Sequence, residues 1–494
     1  KLKEIFASAL KNHQENKLKI AENLYKQILN IDSNHFESIF YLGSLYVQTR
    51  NFDQSKLLLE KAISIQPNHV FANVNIAIAL EELGHSKEAK EYLNKAIELQ
   101  PNFPVAHFNL GNTFYKLNEL ENAIYHYEKT IEIDSKHFLA HNNLGLVYKE
   151  LGKPLKALQC YKNSIKANPK YKRAINNISI LLKEIQLTNL TKENSSNIEE
   201  IILLLFKRND INHKDIFRSA KTFLFLEENI LNQIIDSGES LLKNKVIQSL
   251  IKNELFTLML QKTLIADQII EKILIKLRSE ILFTSIESDK NFIKENIDFI
   301  ISLAEQCFLN EYVYVQSKKE IDHAKKLAYK VSTEKEINEL EIAILGCYIS
   351  LLSEKKIVDK LFAYKSKNNL FNDLINLQIQ EPLKELELKD TIKSIEKISD
   401  DVSKKVRDQY EEYPYPRWRY TYSNSPFDFL NFFKNQIRPN KIKISHKFFN
   451  PKVLIAGCGT GNHICQAANY FNSNILGVDL SLASLSYAKR KVHE

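Results

Sequence analysis

Residues that recur every 34 positions constrain the first third of this chain more than any other feature. Small residues occupy two registers of this period: Ala21, Ser55, Ala89, Ala123 and Ala157, and Gly43, Ala77, Gly111, Gly145 and Ser179. Serine and proline occupy a third: Ser33, Pro67, Pro101, Ser135 and Pro169. Two helices approach closely only where no large side chain separates them, so the small residues predict tightly packed helix pairs. We predict five helix pairs from residue 1 to about 170 and a capping helix near residues 171–186.

This period, with two amphipathic helices in each unit, resembles the tetratricopeptide repeat. Large residues at the neighbouring positions would fill the layer beside the small ones: Tyr46, Leu80, Phe114 and Tyr148. The resemblance implies that residues 1–187 form a superhelix whose extended concave face binds a protein or peptide.

Asparagines follow the same period on the face that the resemblance assigns to partner binding. They are Asn75, Asn109, Asn143 and Asn177, with Asn112 one turn beyond Asn109 and with Asn142 beside Asn143. A side-chain amide donates and accepts hydrogen bonds, so a row of them can pair with the backbone of an extended peptide of any sequence. Asparagine before a Leu-Gly pair is also common in such repeats without any ligand. Both interpretations remain open.

The middle of the chain is predicted to be an all-helical domain at residues 188–400. It follows a polar stretch at 187–197, and the 212 residues between Pro169 and Pro382 contain no proline. Proline and glycine are the residues that most often interrupt a helix, so their scarcity favours helices throughout.

Two features of the middle domain carry more detailed expectations. His213 and His323 lie in polar stretches without a second ligand at metal spacing, so we expect solvated surface histidines. The segment 304–315 is expected to form a core helix with Cys307 buried and its two tyrosines tipped toward water.

The pattern changes at "VLIAGCGTG", residues 453–461. Short apolar runs at 453–456 and 475–478 predict strands buried on both faces, and helical spacing lies between them. Asp479 follows the second run. The order of strand, glycine-rich turn, helix, strand and acid is that of the first half of a doubly wound nucleotide-binding sheet.

The glycine spacing distinguishes between cofactors. A dinucleotide fold would need a glycine at Asn462, but the glycines here form G-x-G-x-G, the arrangement of S-adenosylmethionine-dependent methyltransferases of the Rossmann-like class. Asp479 lies 22 residues after Gly457, where a carboxylate can accept hydrogen bonds from both ribose hydroxyls. Ile455 stands where this class often has an acidic residue. The predicted cofactor-binding residues are Gly457, Cys458, Gly459, Thr460, Gly461 and Asp479.

Residues 401–447, which include "YEEYPYPRWRYTY", are interpreted as a connecting strap rich in proline and aromatic residues. Pro414 and Pro416 favour extended backbone, so the segment can pack the helical region onto the sheet or cover a substrate. Alternatively, Arg417 and Arg419 beside Trp418 could stack on RNA bases.

The chain as a whole resembles bacterial proteins that join N-terminal tetratricopeptide repeats to a C-terminal class I methyltransferase domain. The resemblance is most specific in "YPRW" and in "VDLSLASLSYAKRK". It implies a mainly α fold, followed at residues 448–494 by the first half of a Rossmann-like α/β domain. It also implies S-adenosylmethionine as the cofactor and assigns no methyl acceptor.

We therefore expect a methyltransferase whose repeats recruit a substrate or partner. The alternatives are a protein-interaction scaffold with a non-catalytic methyltransferase remnant, and an RNA methyltransferase. Because the acceptor pocket would come from strands beyond residue 494, the 494-residue chain is expected to be inactive, and no catalytic residue is assigned.

Composition limits the classes of partner and the compartment that we expect for this chain. The net charge of +8 comes from lysines spread along the chain, which does not favour a nucleic-acid partner. The five cysteines are odd in number and form no C-x-x-C pair, which favours the cytoplasm and argues against a structural metal. No apolar run reaches the roughly 20 residues that cross a bilayer, so no membrane span is expected.

Overall fold

The computed structural model describes residues 2–185, 192–225, 228–285, 291–394, 400–412, 416–421, 450–468, 470 and 473–494. These residues belong to two compact units, Lys1–Ile185 and Gln186–Glu494. The strap residues 413–415 and 422–449 lie outside the described residues.

The first unit consists of helices that pack in antiparallel pairs, as the 34-residue period predicts. The helices are α1 Leu2–Gln14, α2 Leu18–Ile31, α3 Phe36–Gln48, α4 Phe52–Ile65, α5 Val70–Glu82, α6 Ser86–Leu99, α7 Pro104–Lys116, α8 Leu120–Ile133, α9 Phe138–Glu150, α10 Pro154–Ala167 and α11 Lys172–Glu184. The first helices of successive pairs also contact one another directly, as α3 does α5 and α5 does α7. This close approach identifies them as the inner, concave layer of the array.

Histidines begin several of these first helices at the same 34-residue step. Nδ1 of His35 accepts the backbone N–H of Ser38, and His69 and His137 accept from the residue three positions on in the same way. A side-chain acceptor at this position satisfies one of the N–H groups that a helix start leaves without a partner. The repeat therefore encodes its helix starts as well as its packing.

The small-residue register is explained by the side chain that faces each glycine. A Cβ at Gly145 would lie 2.5 Å from Cε1 of Tyr161, and one at Gly111 would lie 2.8 Å from the ring of Tyr127. Both tyrosines are fully buried. One period earlier, where Ala77 replaces glycine, the residue in the tyrosine register is Leu93. Gly43 faces a leucine as well, since a Cβ there would lie 2.9 Å from Cγ of Leu59, so the small residues allow close packing against either side chain.

The second unit contains helices followed by a short α/β segment. The helices are α12 Lys192–Phe206, α13 Lys214–Leu224, α14 Glu228–Asp236, α15 Lys245–Ile251, α16 Glu254–Lys262, α17 Gln268–Thr284, α18 Asn291–Glu295, α19 Ile297–Leu309, α20 Lys318–Thr333, α21 Glu339–Gly346, α22 Lys355–Leu361, α23 Asn369–Ile375, α24 Glu381–Lys389 and α25 Asp401–Glu412. Helix α19 is central, because every residue from Phe299 to Leu309 is buried. Helix α25 occupies the start of the segment interpreted as a strap.

The α/β segment has the predicted order of elements. Strand β1 Lys452–Ala456 and strand β2 Asn474–Val478 are parallel, and helix α26 Asn462–Ala467 connects them. Helix α27 Leu482–His493 follows, with the side chain of Ser481 accepting the N–H of Ser484 at its start. Helix α27 packs on α24 and α25, which joins the segment to the helices of the same unit.

The strands differ from the expectation that both of their faces are buried. Leu454 and Leu476 lie opposite each other in the parallel register and are 65% and 60% exposed. Ile464 on α26 approaches the strands closely at Gly477, where a Cβ would lie 2.3 Å from its Cδ1. The strand pair is thus covered on the side of α26, whereas the side of Leu454 is open to solvent.

Within the described ranges, no helix is long and apolar enough to cross a membrane.

We predict that Gly145→Ala destabilises the first unit. Alanine favours a helix over glycine by about 1 kcal/mol, but the overlap with Tyr161 forces a rearrangement of well-packed groups. The expected net loss in the free energy of unfolding is about 1–2 kcal/mol, measured from the urea midpoint of the helical circular dichroism signal. In a Tyr161→Leu background the same change should cost little. An equal cost in both backgrounds would show that the tyrosine is not the cause.

Candidate functional site

The structure links most of the asparagines on the inner layer by hydrogen bonds that cross repeats. Nδ2 of Asn177 donates to Oδ1 of Asn142 at 3.0 Å, and Nδ2 of Asn142 donates to Oδ1 of Asn143 at 3.1 Å. Asn143 in turn donates to Oδ1 of Asn112 at 2.9 Å. The same oxygen of Asn112 accepts the hydroxyl of Tyr127 at 2.8 Å. These amides therefore hold neighbouring repeats in register.

Asn75 and Asn109 are placed differently. Nδ2 of Asn75 donates to the hydroxyl of Ser44 on the preceding first helix at 2.8 Å, whereas Nδ2 of Asn109 bonds the carbonyl of Val105 in its own helix. Each amide has a second N–H and a carbonyl oxygen with which to bond a ligand. The exposed side chains of Phe71 and Val105 lie one turn before Asn75 and Asn109, on the same helix faces. This surface combines amides with apolar groups.

The glycine turn between β1 and α26 has the backbone that its sequence predicts. Gly457, Gly459 and Gly461 all have positive φ, at 63°, 51° and 84°. Residues other than glycine rarely adopt such angles. A Cβ at Gly457 or Gly459 would meet no atom within 4 Å, so the turn borders open space, whereas one at Gly461 would lie 2.5 Å from Cβ of Ala488. Gly461 is thus required by packing against α27.

The carboxylate of Asp479 lies beside this turn. Its Oδ2 accepts the N–H of Gly459 at 2.8 Å, and its Oδ1 accepts the N–H of Ser481 at 3.0 Å. The end of β2 is therefore bonded to the middle of the glycine turn, and the carboxylate retains lone pairs for further donors. The structure brings together the glycines and the acid that the sequence singles out.

Cys458 and Thr460, the other two turn residues, are both buried. Burial raises the pKa of the Cys458 thiol to about 11, with the nearby Asp479 charge adding to the shift. A thiol with a raised pKa is a poor nucleophile at neutral pH, so packing accounts for Cys458.

Thr460 bonds to the strap from both its side chain and its backbone. Its hydroxyl donates to the carbonyl of Pro416 at 2.8 Å, and its carbonyl accepts Nε1 of Trp418 at 3.1 Å. The hydroxyl of Tyr487 on α27 accepts the backbone N–H of Trp418 at 3.1 Å and donates to the carbonyl of the same residue.

The two strap arginines are buried in ion pairs with carboxylates of the helical part. Arg417 bonds Glu311 and lies 3.8 Å from Glu385, and NH1 of Arg419 lies 3.0 Å from Oε2 of Glu305. Guanidinium groups bound in this way cannot stack on RNA bases, so the structure offers the RNA interpretation no support. The sequence does not single out these three glutamates, since nothing in a helical pattern separates a buried carboxylate from an exposed one.

Glu305 lies on the central helix α19 and is 1% exposed. Burial raises its pKa to about 7, although the charge of Arg419 opposes the shift and the carboxylate of Asp373 adds to it. Burial also lowers the pKa of nearby Lys262 to about 8. The Nζ atom of Lys262 lies 4.8 Å from the ring centre of Tyr420.

Two expectations about the helical part are wrong. His213 is not solvated but is 2% exposed, between the rings of Phe206 and Tyr420. Tyr314 is buried rather than tipped toward water, and the hydroxyl of Tyr312 donates to Oε1 of Gln378 at 3.2 Å. Both residues have polar neighbours in the sequence, which gives no sign that tertiary packing buries them. Among the described residues, no three His, Cys, Asp or Glu side chains form a group that could hold a metal.

Comparisons with known proteins identify the repeats. Models of the tetratricopeptide repeat match residues 36–69, 72–103, 92–125, 111–152 and 138–171. Comparison with curated proteins finds no match. The methyltransferase resemblance at residues 448–494 lies outside the matched repeats and stays a prediction.

Solved structures that are similar to this chain include two described as TPR proteins. MamA is 24% identical, with a TM-score of 0.31, over 33% of this chain and 96% of that chain. YrrB, described as "a TPR protein with an unusual peptide-binding site", is 25% identical, with a TM-score of 0.31, over 35% of this chain and 89% of that chain. TTC0263 of Thermus thermophilus is 14% identical, with a TM-score of 0.32, over 37% of this chain and 100% of that chain. The matches to the family models show that the first unit of the present chain contains tetratricopeptide repeats.

We predict that His213 makes the second unit sensitive to acid. Burial, reinforced by the positive charge of Lys262, lowers its pKa from 6.5 to about 4. Between these values the unfolded chain binds the proton more readily, so stability is lost as the pH falls. Between pH 7.5 and 4.5 the free energy of unfolding of the wild type should fall by on the order of 3 kcal/mol more than that of His213→Phe. Urea unfolding at each pH measures the difference. The exposed His463, changed to Phe, is the control. Parallel pH profiles of the wild type and His213→Phe would contradict the prediction.

Proposed function

We propose that this protein is a scaffold that binds a protein or peptide along the inner layer of its repeats. The observation that carries the proposal is the surface formed by Asn75 and Asn109 with Phe71 and Val105. Amides that can bond a peptide backbone lie beside exposed apolar side chains that can bury those of the peptide. Tetratricopeptide arrays provide extended surfaces for this kind of contact.

The charges of the inner layer support a largely uncharged partner. Lys116 pairs with Glu81 at 2.8 Å, Lys149 pairs with Glu184 at 2.9 Å, and the hydroxyl of Tyr115 donates to Glu150. These groups satisfy one another between repeats. A partner would therefore be recognised through its backbone and apolar side chains rather than through a terminal charge.

A second candidate function, S-adenosylmethionine binding and methyl transfer, is favoured by one observation in the α/β segment. The glycine turn borders open space at Gly457 and Gly459, and the carboxylate of Asp479 lies beside it. These residues fit a ribose-containing cofactor, since the turn lets the ligand approach the backbone and the acid accepts hydroxyl protons. The cofactor would supply the methyl group, and the chain would bind and orient it. We assign no methyl acceptor.

For the scaffold, Asn75→Ala with Asn109→Ala should weaken partner capture about tenfold, the effect of losing one or two hydrogen bonds. The readout is affinity capture by the full chain, followed by titration of the captured protein. Asn122, which is exposed on the second helix α8, provides the matched control when changed to alanine. Circular dichroism must show that the double variant is folded, because Asn75 also bonds Ser44. Equal capture by the wild type and the folded double variant would refute the proposed surface.

For the cofactor, isothermal titration of the full chain with S-adenosylmethionine should show binding by the wild type and a loss of at least tenfold in affinity in Asp479→Ala. Asp408→Ala, which removes an exposed carboxylate on α25, should bind like the wild type. Absence of binding by the folded wild-type chain would rule out the cofactor proposal and leave the scaffold proposal standing.

A further inference from the structure

The strap residues 416–421 contact two different parts of the second unit. The carbonyl of Pro416 and the indole of Trp418 bond to the glycine turn. The side chains of Arg417 and Arg419 bond to carboxylates of the helical part. Trp418 thus contacts the turn while its neighbours Arg417 and Arg419 contact the helical part, so one short segment binds both parts at once.

Thr460 is the point of the glycine turn that the strap holds. It lies between Gly459 and Gly461 and is buried. Its hydroxyl and its carbonyl both bond to the strap, so a displacement of Thr460 as a whole would break two hydrogen bonds. Lys491 of α27 adds a third connection, since its Nζ donates to the carbonyl of Arg419 at 3.1 Å and lies 5.6 Å from the ring centre of Trp418.

The other side of the strap is anchored by charges that cannot easily separate. NH1 of Arg419 donates to Glu305 and also to the carbonyl of Gln261 at 3.1 Å. The guanidinium of Arg417 lies 4.6 Å from the ring centre of Phe308 while it pairs with Glu311. Separating these pairs would leave an uncompensated charge in a buried site, which is strongly unfavourable.

We propose that residues 416–421 are a positioning element that fixes the conformation of the glycine turn from the helical part of the second unit. Trp418 acts on the turn through Thr460, and Glu305 acts through Arg419 and the strap backbone. The importance of the element for cofactor affinity rests on the proposed cofactor function. Its effect on the turn does not.

The test is hydrogen exchange of the full chain, resolved for a peptide that covers residues 453–463. Trp418→Phe keeps an aromatic ring and removes the N–H that bonds Thr460, and Thr460→Val removes the hydroxyl at nearly constant shape. Each should speed exchange in the turn about five- to tenfold and leave the core of α19 unchanged. Lys489→Met removes a contact of α27 with Thr391 away from the turn, and is the control that should leave the turn unchanged.

Glu305→Gln tests transmission from the helical part. It should speed exchange in the turn by a similar factor, and adding Trp418→Phe should then have less effect than it does alone, because both changes act on one connection. Arg419→Lys, which keeps the charge, should retain part of the protection. If Glu305→Gln does not fold, Trp418→Phe and Thr460→Val still decide the proposal. Unchanged exchange of the turn in both of those variants would overturn it.

Titration with S-adenosylmethionine separates this inference from the cofactor function. If the wild type binds, Trp418→Phe should lower the affinity about three- to tenfold. If the wild type does not bind, the cofactor function fails, while the exchange data still establish or refute the positioning element.

Discussion

Buried pairs of arginine and glutamate fix how the α/β segment attaches to the helices of the second unit. Arg490 on α27 lies 2.9 Å from both Glu381 and Glu385 of α24, and Arg417 and Arg419 bond Glu311 and Glu305. Removing such groups from water is unfavourable unless each charge meets its partner in good geometry. The α/β segment is therefore attached in one orientation, because any other would leave a buried charge without a partner. The ring of Trp418 and the glycine turn take their positions from that attachment.

The helical architecture was predictable because its causes are local. A 34-residue step sets both the helix starts, such as His35, and the close contacts, such as Gly145 against Tyr161, so the sequence alone displays them. The mainly α fold and the tetratricopeptide repeats are confirmed. The ion pairs were not predictable, because Arg419 and Glu305 are 114 residues apart in the chain. Arginine and glutamate are also common on protein surfaces, so neither residue type indicates burial. His213 was misplaced for the same reason.

The candidate sites also combine features that the sequence predicts with features that depend on tertiary contacts. The positive φ angles of Gly457, Gly459 and Gly461 follow from the residue type, and the place of Asp479 follows from the strand that precedes it. The contact of Thr460 with Trp418 depends on how a strap crosses the turn, which no local pattern encodes. Which asparagines bond across repeats and which do not also depends on tertiary packing, so the sequence could not predict it. Asn112 and Asn143 bond each other across repeats, whereas Asn109 bonds only its own helix in the described structure.

The bonds between first helices have a consequence for the length of the array. Asn75 reaches back 31 positions to Ser44, and Asn143 reaches back the same distance to Asn112. Lys116 and Lys149 make their cross-repeat pairs at a separation of 35. These polar groups are matched to positions about one repeat away, so only an insertion of whole repeats keeps the 34-residue phase on which such pairings depend. The pairs themselves vary, since Ile78 stands 31 positions before Asn109. An insertion of any other length would shift that phase, which makes the repeat the unit in which the proposed binding surface can grow.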